Sequence, residues 1–261
     1  PTVMGVLRDA VETIVRQPVD LVGAGRTDAG VHGWGQVVSG DIPDTTDLAG
    51  LQRRINKLCG PAIAVRNAEW TTDPEFSARF SAEWRHYRYH VLNSPTPDPF
   101  LAGTAWHVIQ PLNLWAMQLA CDPLIGEHDF SAFCRKPKVA EGATVPSMRR
   151  RVMSATWRPV PDGRDGLLRF EIRANAFCHQ MVRSIVGTLV DVGLGRLHAG
   201  DIRRIAQPLG LQGESAGIAA EVEYRLAGAE FGQPLSVFTL IAVETGFLAP
   251  REIDTEFRPV L

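Results

Sequence analysis

The chain has 261 residues, of which 45% are apolar and 21% are charged, a balance typical of soluble globular proteins. No apolar run approaches the roughly 18 residues that a membrane-spanning helix needs, and the opening residues lack the basic-then-apolar pattern of a signal peptide. We therefore expect no membrane segment and a cytoplasmic location. The net charge of −2 is unevenly spread, because residues 1–213 carry 24 basic and 21 acidic side chains whereas residues 214–261 carry 3 and 8.

The first third of the chain predicts two helices and four strands. Apolar residues at helical spacing predict the helices, over residues 3–16 and 47–58. Strands are predicted over residues 19–25, 35–41, 62–70 and 84–93. The last of these, "WRHYRYHVLN", alternates aromatic or apolar residues with Arg and His, which predicts a half-buried strand with one basic face.

A proline-rich segment, "SPTPDPF" at residues 94–100, is the best candidate for a linker between two halves. Beyond it we predict three helices, over residues 113–124, 176–193 and 199–206, the second apolar nearly all round and therefore buried on most sides. "GEHDFSAF" (126–133) is predicted as a short helix or turn. Strands are predicted over residues 151–158, 166–174 and 237–243. Because the strands and helices cluster rather than strictly alternate, the predicted fold class is α+β.

The cysteines and the basic residues bear on the kind of partner. Four cysteines lie far apart with no C-x-x-C pair, so we expect free thiols and neither a zinc site nor a disulfide framework. Basic residues gather in four clusters, at 53–57, 79–88, 135–138 and 149–151. Such clusters are usually solvated faces, but four of them, two interleaved with aromatic residues, indicate an anionic polymer as partner.

The segment "GAGRTDAGVHGWGQ" (23–36) surrounds a single carboxylate, that of Asp28, with five glycines. A dinucleotide-binding G-x-G-x-x-G motif would need glycine where Asp28 stands, and a negative charge there would repel a pyrophosphate. The P-loop pattern is also absent, because no Lys-Ser or Lys-Thr follows any of these glycines. "TDAG" fits an ordinary turn, yet the glycines also remove bulk, so that a substrate could approach the acid. A turn and a catalytic carboxylate beside Arg26 both remain open at this point.

Four segments carry a more specific signal. They are "GAGRTDAGVHGWGQVV", "FSARFSAEWRHYRYHVLN", "LIGEHDFSAF" and "FEIRANAFCHQMVRSIVGTLVDVGLGR". In this order they resemble blocks of the tRNA pseudouridine synthase A family, and the resemblance extends over about residues 2–206. It implies the pseudouridine synthase fold, with two similar α+β halves, residues 1–93 and 101–206, whose sheets join across a central catalytic cleft.

The family converts uridines at positions 38, 39 and 40 of the tRNA anticodon arm to pseudouridine, as a homodimer and without a cofactor or metal. The resemblance implies that Asp28 is the catalytic aspartate and that Arg183 pairs with it and keeps it ionised. It also implies that Tyr87 contacts the uracil ring and that Arg26 fills the vacated space or holds a phosphate. The tRNA would lie on basic side chains, for which the candidates are Arg79, Arg85, Arg88 and Lys136.

The two ends of the chain depart from the family pattern. The family's first strand, with its Tyr-Asp-Gly and Gly-Trp-Gln signature, has no counterpart, and residues 207–261 form an acidic tail that matches no family block. The alternative function is therefore a tRNA-binding protein of the same fold that these changes have inactivated. His32 and His179 have no second ligand nearby in sequence, and we interpret both as structural.

Overall fold

The computed structural model describes residues 2–135, 146–161, 164–206 and 243–246. The chain divides into two compact units: unit 1 with residues 1–26, 36–83 and 245–261, and unit 2 with residues 27–35 and 84–244. None of the helices in the described ranges is both long and apolar enough to cross a bilayer. The mixture of helices and sheets confirms the α+β class.

Two helices build the core of unit 1. Helix α1 (Val3–Val15) and helix α2 (Leu48–Cys59) confirm both helices predicted in this part of the chain. The hydroxyl of Thr2 caps α1 by accepting the N–H of Gly5 at 3.1 Å, which satisfies one of the free donors of the first turn. The core of the unit consists of apolar residues from the two helices and the segment after α1: Leu7, Ala10, Val11, Val19, Leu51, Ile55 and Cys59.

The strands of unit 1 are short. Strand β1 (Leu21–Gly23) pairs antiparallel with β2 (Val38–Gly40), which confirms two predicted strands with tighter bounds. The strand predicted over residues 62–70 is wrong, because this segment is irregular. The side-chain amide of Asn56 accepts from the N–H of Val65 at 2.7 Å and donates to its carbonyl at 2.8 Å. A side chain therefore satisfies backbone groups that a neighbouring strand would otherwise bond.

Unit 2 contains a larger sheet. In spatial order its main path is β4 (Trp106–Val108), β3 (Trp84–Asn93), β7 (Leu167–Ala174), β6 (Arg149–Pro159) and β5 (Gly126–Asp129). The pairs are antiparallel except β3 with β4, and β8 (Val243–Gly246) also pairs with β3. The strands predicted over 84–93, 151–158 and 166–174 are confirmed, whereas the prediction for 126–133 missed β5. The strand predicted over 237–243 lies almost wholly outside the described residues.

Helices cover the apolar face of this sheet. They are α3 (Leu114–Leu119), α4 (Met181–Gly193) and α5 (Asp201–Ala206), and most of α4 is buried, as predicted. Side chains alternate along β7, so that every second one points into the core. The core is formed by these β7 residues and by α4: Leu168, Phe170, Ile172, Ala174, Met181, Ile185 and Leu189.

The division into units differs from the predicted halves, 1–93 and 101–206. Strand β3 belongs to unit 2 because it pairs with β7 along most of its length, from Arg85 opposite Ala174 to Leu92 opposite Leu167. Residues 27–35 also belong to unit 2, where Val31 packs against the core. The glycine-rich loop therefore places Asp28 in the unit that holds the large sheet.

Candidate active site

Asp28 opens a tight turn. The N–H of Val31 donates to the carbonyl of Asp28 at 3.2 Å, and Gly30, the third residue of the turn, has φ of +82°. A turn of this kind needs a positive φ at its third residue, which glycine adopts without strain. The Asp28 side chain is 38% exposed, so a substrate can reach the carboxylate. The turn and the reachable acid are therefore not alternatives, because both are present in the same four residues.

His179 contacts this carboxylate. Its Nε2 lies 3.3 Å from Asp28 Oδ1, in a contact between partly exposed side chains. From its sequence context we expect a structural histidine, but the structure places its imidazole against the candidate acid. A signal was available: His179 lies in the short loop between strand β7 and helix α4, and site residues concentrate on loops.

Tyr87 projects from strand β3 on the core side of the sheet, opposite Ile172. Its ring meets that of Phe177 edge to face, with centroids 4.8 Å apart and an interplanar angle of 80°. Burial raises the pKa of the Tyr87 hydroxyl above its usual value, and the negative charge of Asp28 acts in the same direction, while Arg85 opposes both. The Tyr87 hydroxyl is therefore close enough to Asp28 for the negative charge of the carboxylate to raise its pKa.

The two arginines expected near the acid both have exposed side chains. Arg183 is exposed on helix α4, whereas Met181 and Ile185 of the same helix are buried. Arg183 forms no ion pair within the described ranges. The expected pair between Arg183 and Asp28 is therefore not formed in this structure. Arg26 belongs to unit 1 and is exposed.

The candidate RNA-binding residues are spread over the two units. Arg79, in unit 1, is exposed and holds its guanidinium 5.6 Å from the centre of the Phe80 ring. Arg85, in unit 2, donates from Nη1 to the carbonyl of Asn175 at 2.7 Å. Arg88 donates from Nε to Glu171 Oε1 at 2.9 Å, so part of its charge is neutralised within the sheet. The fourth candidate, Lys136, lies outside the described residues.

Two thiols lie next to this site. All four cysteines are free, as predicted, and the Cys134 and Cys178 thiols interact with each other. This interaction lowers the pKa of Cys178 to about 7, against the opposing effect of burial, and raises that of Cys134. Within the described ranges no group of three or more His, Cys, Asp and Glu side chains is arranged to hold a metal ion.

Three side chains form the candidate active site. Asp28, Tyr87 and His179 come from three separate segments and are all part of unit 2. A reachable carboxylate can act as a nucleophile or a base. An aromatic pair beside it offers a surface for a planar ring. The arrangement suits chemistry on a heterocyclic base or on the sugar that bears it.

Comparison with known proteins relates the chain to a family. A family described as tRNA pseudouridine synthase matches residues 120–224. A tRNA pseudouridine synthase A of Methylacidiphilum infernorum is 37% identical over 205 residues, which cover 78% of this chain and 77% of that protein. Proteins of the same name from Streptomyces griseus and Frankia casuarinae are each 41% identical, over 202 and 199 residues; each match covers 75% of this chain and 68% of the relative. The chain therefore belongs to the tRNA pseudouridine synthase A family, whose members are isomerases.

Proposed function

We propose that this protein isomerises uridines at positions 38, 39 and 40 of the tRNA anticodon arm to pseudouridine, with Asp28 as the catalytic carboxylate. The observation that carries the proposal is the convergence of Asp28, Tyr87 and His179 in unit 2. The relatives named tRNA pseudouridine synthase A support the formation of pseudouridine in tRNA independently of the geometry.

The reaction rearranges bonds without a net loss or gain of atoms. The bond from ribose C1′ to uracil N1 breaks, a bond from C1′ to C5 forms, and the proton of C5 is replaced by one on N1. No electrons are transferred to or from the substrate. The carboxylate of Asp28 acts on the ribose or on the base, and in either case the uridine must leave the base stack at a cost of a few kcal/mol.

Tyr87 suits the role of holding the uracil ring. Its contact with Phe177 fixes the ring orientation, since an edge-to-face pair restricts rotation of both partners. An ordinary tyrosine is protonated at neutral pH, and the raised pKa of Tyr87 reinforces this state, so the hydroxyl can donate a hydrogen bond to a carbonyl of the base.

The arginines are assigned to the RNA backbone. We propose that Arg26 fills the space left by the flipped base or holds a phosphate, and that Arg183 approaches Asp28 or a phosphate when tRNA binds. Both side chains are exposed, as such roles require. Arg79, Arg85, Arg88 and Lys136 would contact phosphates, which position an RNA without reading its sequence.

We further propose that the protein is a homodimer in the cytoplasm. Trp115 and Leu119 lie four residues apart on α3 and are both exposed, which leaves an apolar patch on the helix surface. Such a patch is typical of a surface that another protein covers. Light scattering coupled to gel filtration measures the mass directly, and a monomer at micromolar concentration would contradict the dimer.

The test of the function is a modification assay with two aspartate variants. An RNA of the anticodon arm is incubated with the protein, and pseudouridine is mapped by chemical adduct formation and primer extension. We expect stops at positions 38, 39 and 40 with the wild type. Asp28→Ala should lose activity by on the order of 10⁴-fold, the scale on which removal of a catalytic group acts. Asp9→Asn, which neutralises a carboxylate that is 74% exposed in unit 1, should not change the rate.

Each outcome separates the candidate functions. Pseudouridine formed equally well by the Asp28→Ala protein would overturn the role of this acid. RNA binding by the wild type without any modification would favour the alternative, a tRNA-binding protein of this fold that has lost catalysis.

A further inference from the structure

The contact between Asp28 and His179 joins two segments of very different stiffness. Asp28 lies on a loop with glycine at positions 25, 30, 33 and 35, and its carboxylate is partly exposed. Such a side chain can rotate about both of its torsion angles unless a neighbour holds it. The turn that starts at Asp28 orders the backbone but makes no bond to the carboxylate.

The segment that carries His179 is firmly held. Three consecutive carbonyls accept backbone hydrogen bonds: Cys178 from Met181 at 3.2 Å, His179 from Arg135 at 3.0 Å and Gln180 from Ser184 at 3.0 Å. The last bond belongs to helix α4, most of which is buried. The imidazole therefore projects from an anchored backbone.

The backbone of Gln180, next to His179, is held in an unusual conformation by surrounding contacts. Its φ is +65°, a left-handed conformation that residues other than glycine adopt uncommonly. Such a conformation costs on the order of 1–3 kcal/mol and persists only where surrounding contacts fix it. It sets the direction of the chain between His179 and α4, and so the direction from which the imidazole meets Asp28.

We propose that His179 is a positioning residue for Asp28, an inference that rests on the proposed function of this carboxylate. Nε2 engages Oδ1, which leaves Oδ2 free to face the ribose or the base. The distance of 3.3 Å is slightly longer than a strong N–H···O hydrogen bond. Contacts of this kind often tighten when the substrate binds.

A positioning role has a defined kinetic signature. Loss of the contact leaves the RNA-binding surface intact, so KM should change little, whereas kcat falls because the carboxylate adopts unproductive rotamers. Misplacement of a catalytic group by about 1 Å costs on the order of 100-fold. We therefore expect His179→Ala to lower kcat about 10- to 100-fold and to change KM for the RNA by less than about 2-fold.

Rescue by a conservative variant separates positioning from a structural role. His179→Gln keeps an N–H donor at about the place of Nε2, so kcat should return to within about 3-fold of the wild type. His198→Ala removes an exposed histidine elsewhere in unit 2 and serves as the matched control. If His179→Ala behaves like His198→Ala, or if glutamine restores nothing, the positioning role is overturned.

A measurement without substrate tests the contact itself. Long-range ¹H–¹⁵N spectra report the ring nitrogens of each histidine, and Asp28→Asn should move the Nε2 signal of His179 while that of His198 stays in place. An unmoved His179 signal would overturn the inference, even in an active enzyme. A wild type that binds RNA but forms no pseudouridine would instead overturn the proposed function, and the spectra would still establish whether the contact exists.

Discussion

Units 1 and 2 both combine helices with paired strands, but they differ in the length of their strands. In unit 1, β1 and β2 have three residues each, and the core lies mainly between two helices. In unit 2, the three central strands have 8 to 11 residues and bury a continuous apolar face under α4. The glycine-rich loop has little hydrophobic surface of its own, so its position depends on the unit that it packs against. The comparison teaches that the backbone around Asp28 takes its position from the larger core, against which Val31 packs.

The two units also differ in their titratable groups. All seven histidines of the chain lie in unit 2, at positions 32, 86, 90, 107, 128, 179 and 198. Histidine is the side chain that ordinarily changes charge between pH 5 and 8. Mild acid should therefore act through histidine on unit 2 alone, which gives a second way to separate the units.

The largest effect is expected in the core of unit 2. Phe170 is fully buried at the centre of β7, and its ring centroid lies 5.1 Å from that of Trp157. Phe170→Ala should lower the free energy of unfolding by about 3–5 kcal/mol, because it leaves a cavity that the sheet cannot close. Urea denaturation measures the change. Phe100→Ala, with a ring that is 82% exposed, is the matched control, and an equal loss in the control would contradict the prediction.

A corresponding change in unit 1 should have a more local effect. Ile55 of α2 is 4% exposed and packs in the small core. Ile55→Ala should cost about 2–4 kcal/mol and increase hydrogen exchange in α1 and α2 while exchange in α4 stays unchanged. Leu58→Ala, on the exposed side of the same helix, should change neither quantity appreciably. Faster exchange in α4 would show that the two cores unfold together.

Acid should destabilise unit 2 through His90. Burial, with the charges of Arg169 and Arg88, lowers the pKa of His90 to about 4, although Glu171 acts in the opposite direction. Between pH 6.5 and 4 the unfolded chain binds a proton that the folded protein does not, so stability falls as the pH falls through this range. The expected loss is on the order of 1–3 kcal/mol.

Two substitutions test whether His90 causes this loss of stability at acidic pH. His90→Gln should remove this part of the pH dependence, as measured by urea denaturation at pH 7 and pH 4.5. His198→Gln, at an exposed position, should retain it. An identical pH dependence in the wild type and in His90→Gln would contradict the assignment.

The smallest effect concerns the thiols beside the site. Because the pKa of Cys178 is about 7, iodoacetamide should modify it at neutral pH well before Cys121, whose pKa burial raises to about 12. The rate should rise with pH, reach half of its maximum near pH 7 and level off about one pH unit higher. Cys134→Ala removes the stabilising interaction, so the pKa of Cys178 should return toward roughly 8.5 and the rate at pH 7 should fall roughly tenfold. Peptide mass spectrometry follows both cysteines in one sample.

Elements held together by local contacts were predictable from sequence. The helices α1, α2 and α4 follow from apolar spacing, because a helix bonds its backbone within one segment. Strands need a partner that lies elsewhere in the chain. Residues 62–70 resemble a strand but remain irregular because Asn56 bonds Val65, and "GEHD" became a strand because β6 lies beside it.

The candidate site also has residues that the sequence predicted and a contact that it did not. The sequence predicted Asp28 as the candidate acid, from a lone carboxylate among glycines and a family resemblance, and Tyr87 as its companion, from that resemblance; both signals are properties of consecutive residues. Only the tertiary structure decided which basic side chain meets the acid. That choice depends on the left-handed conformation of Gln180 and on the backbone bond from Arg135 to His179, two features set by contacts between distant segments. His179, not Arg183, therefore contacts Asp28 in the folded protein.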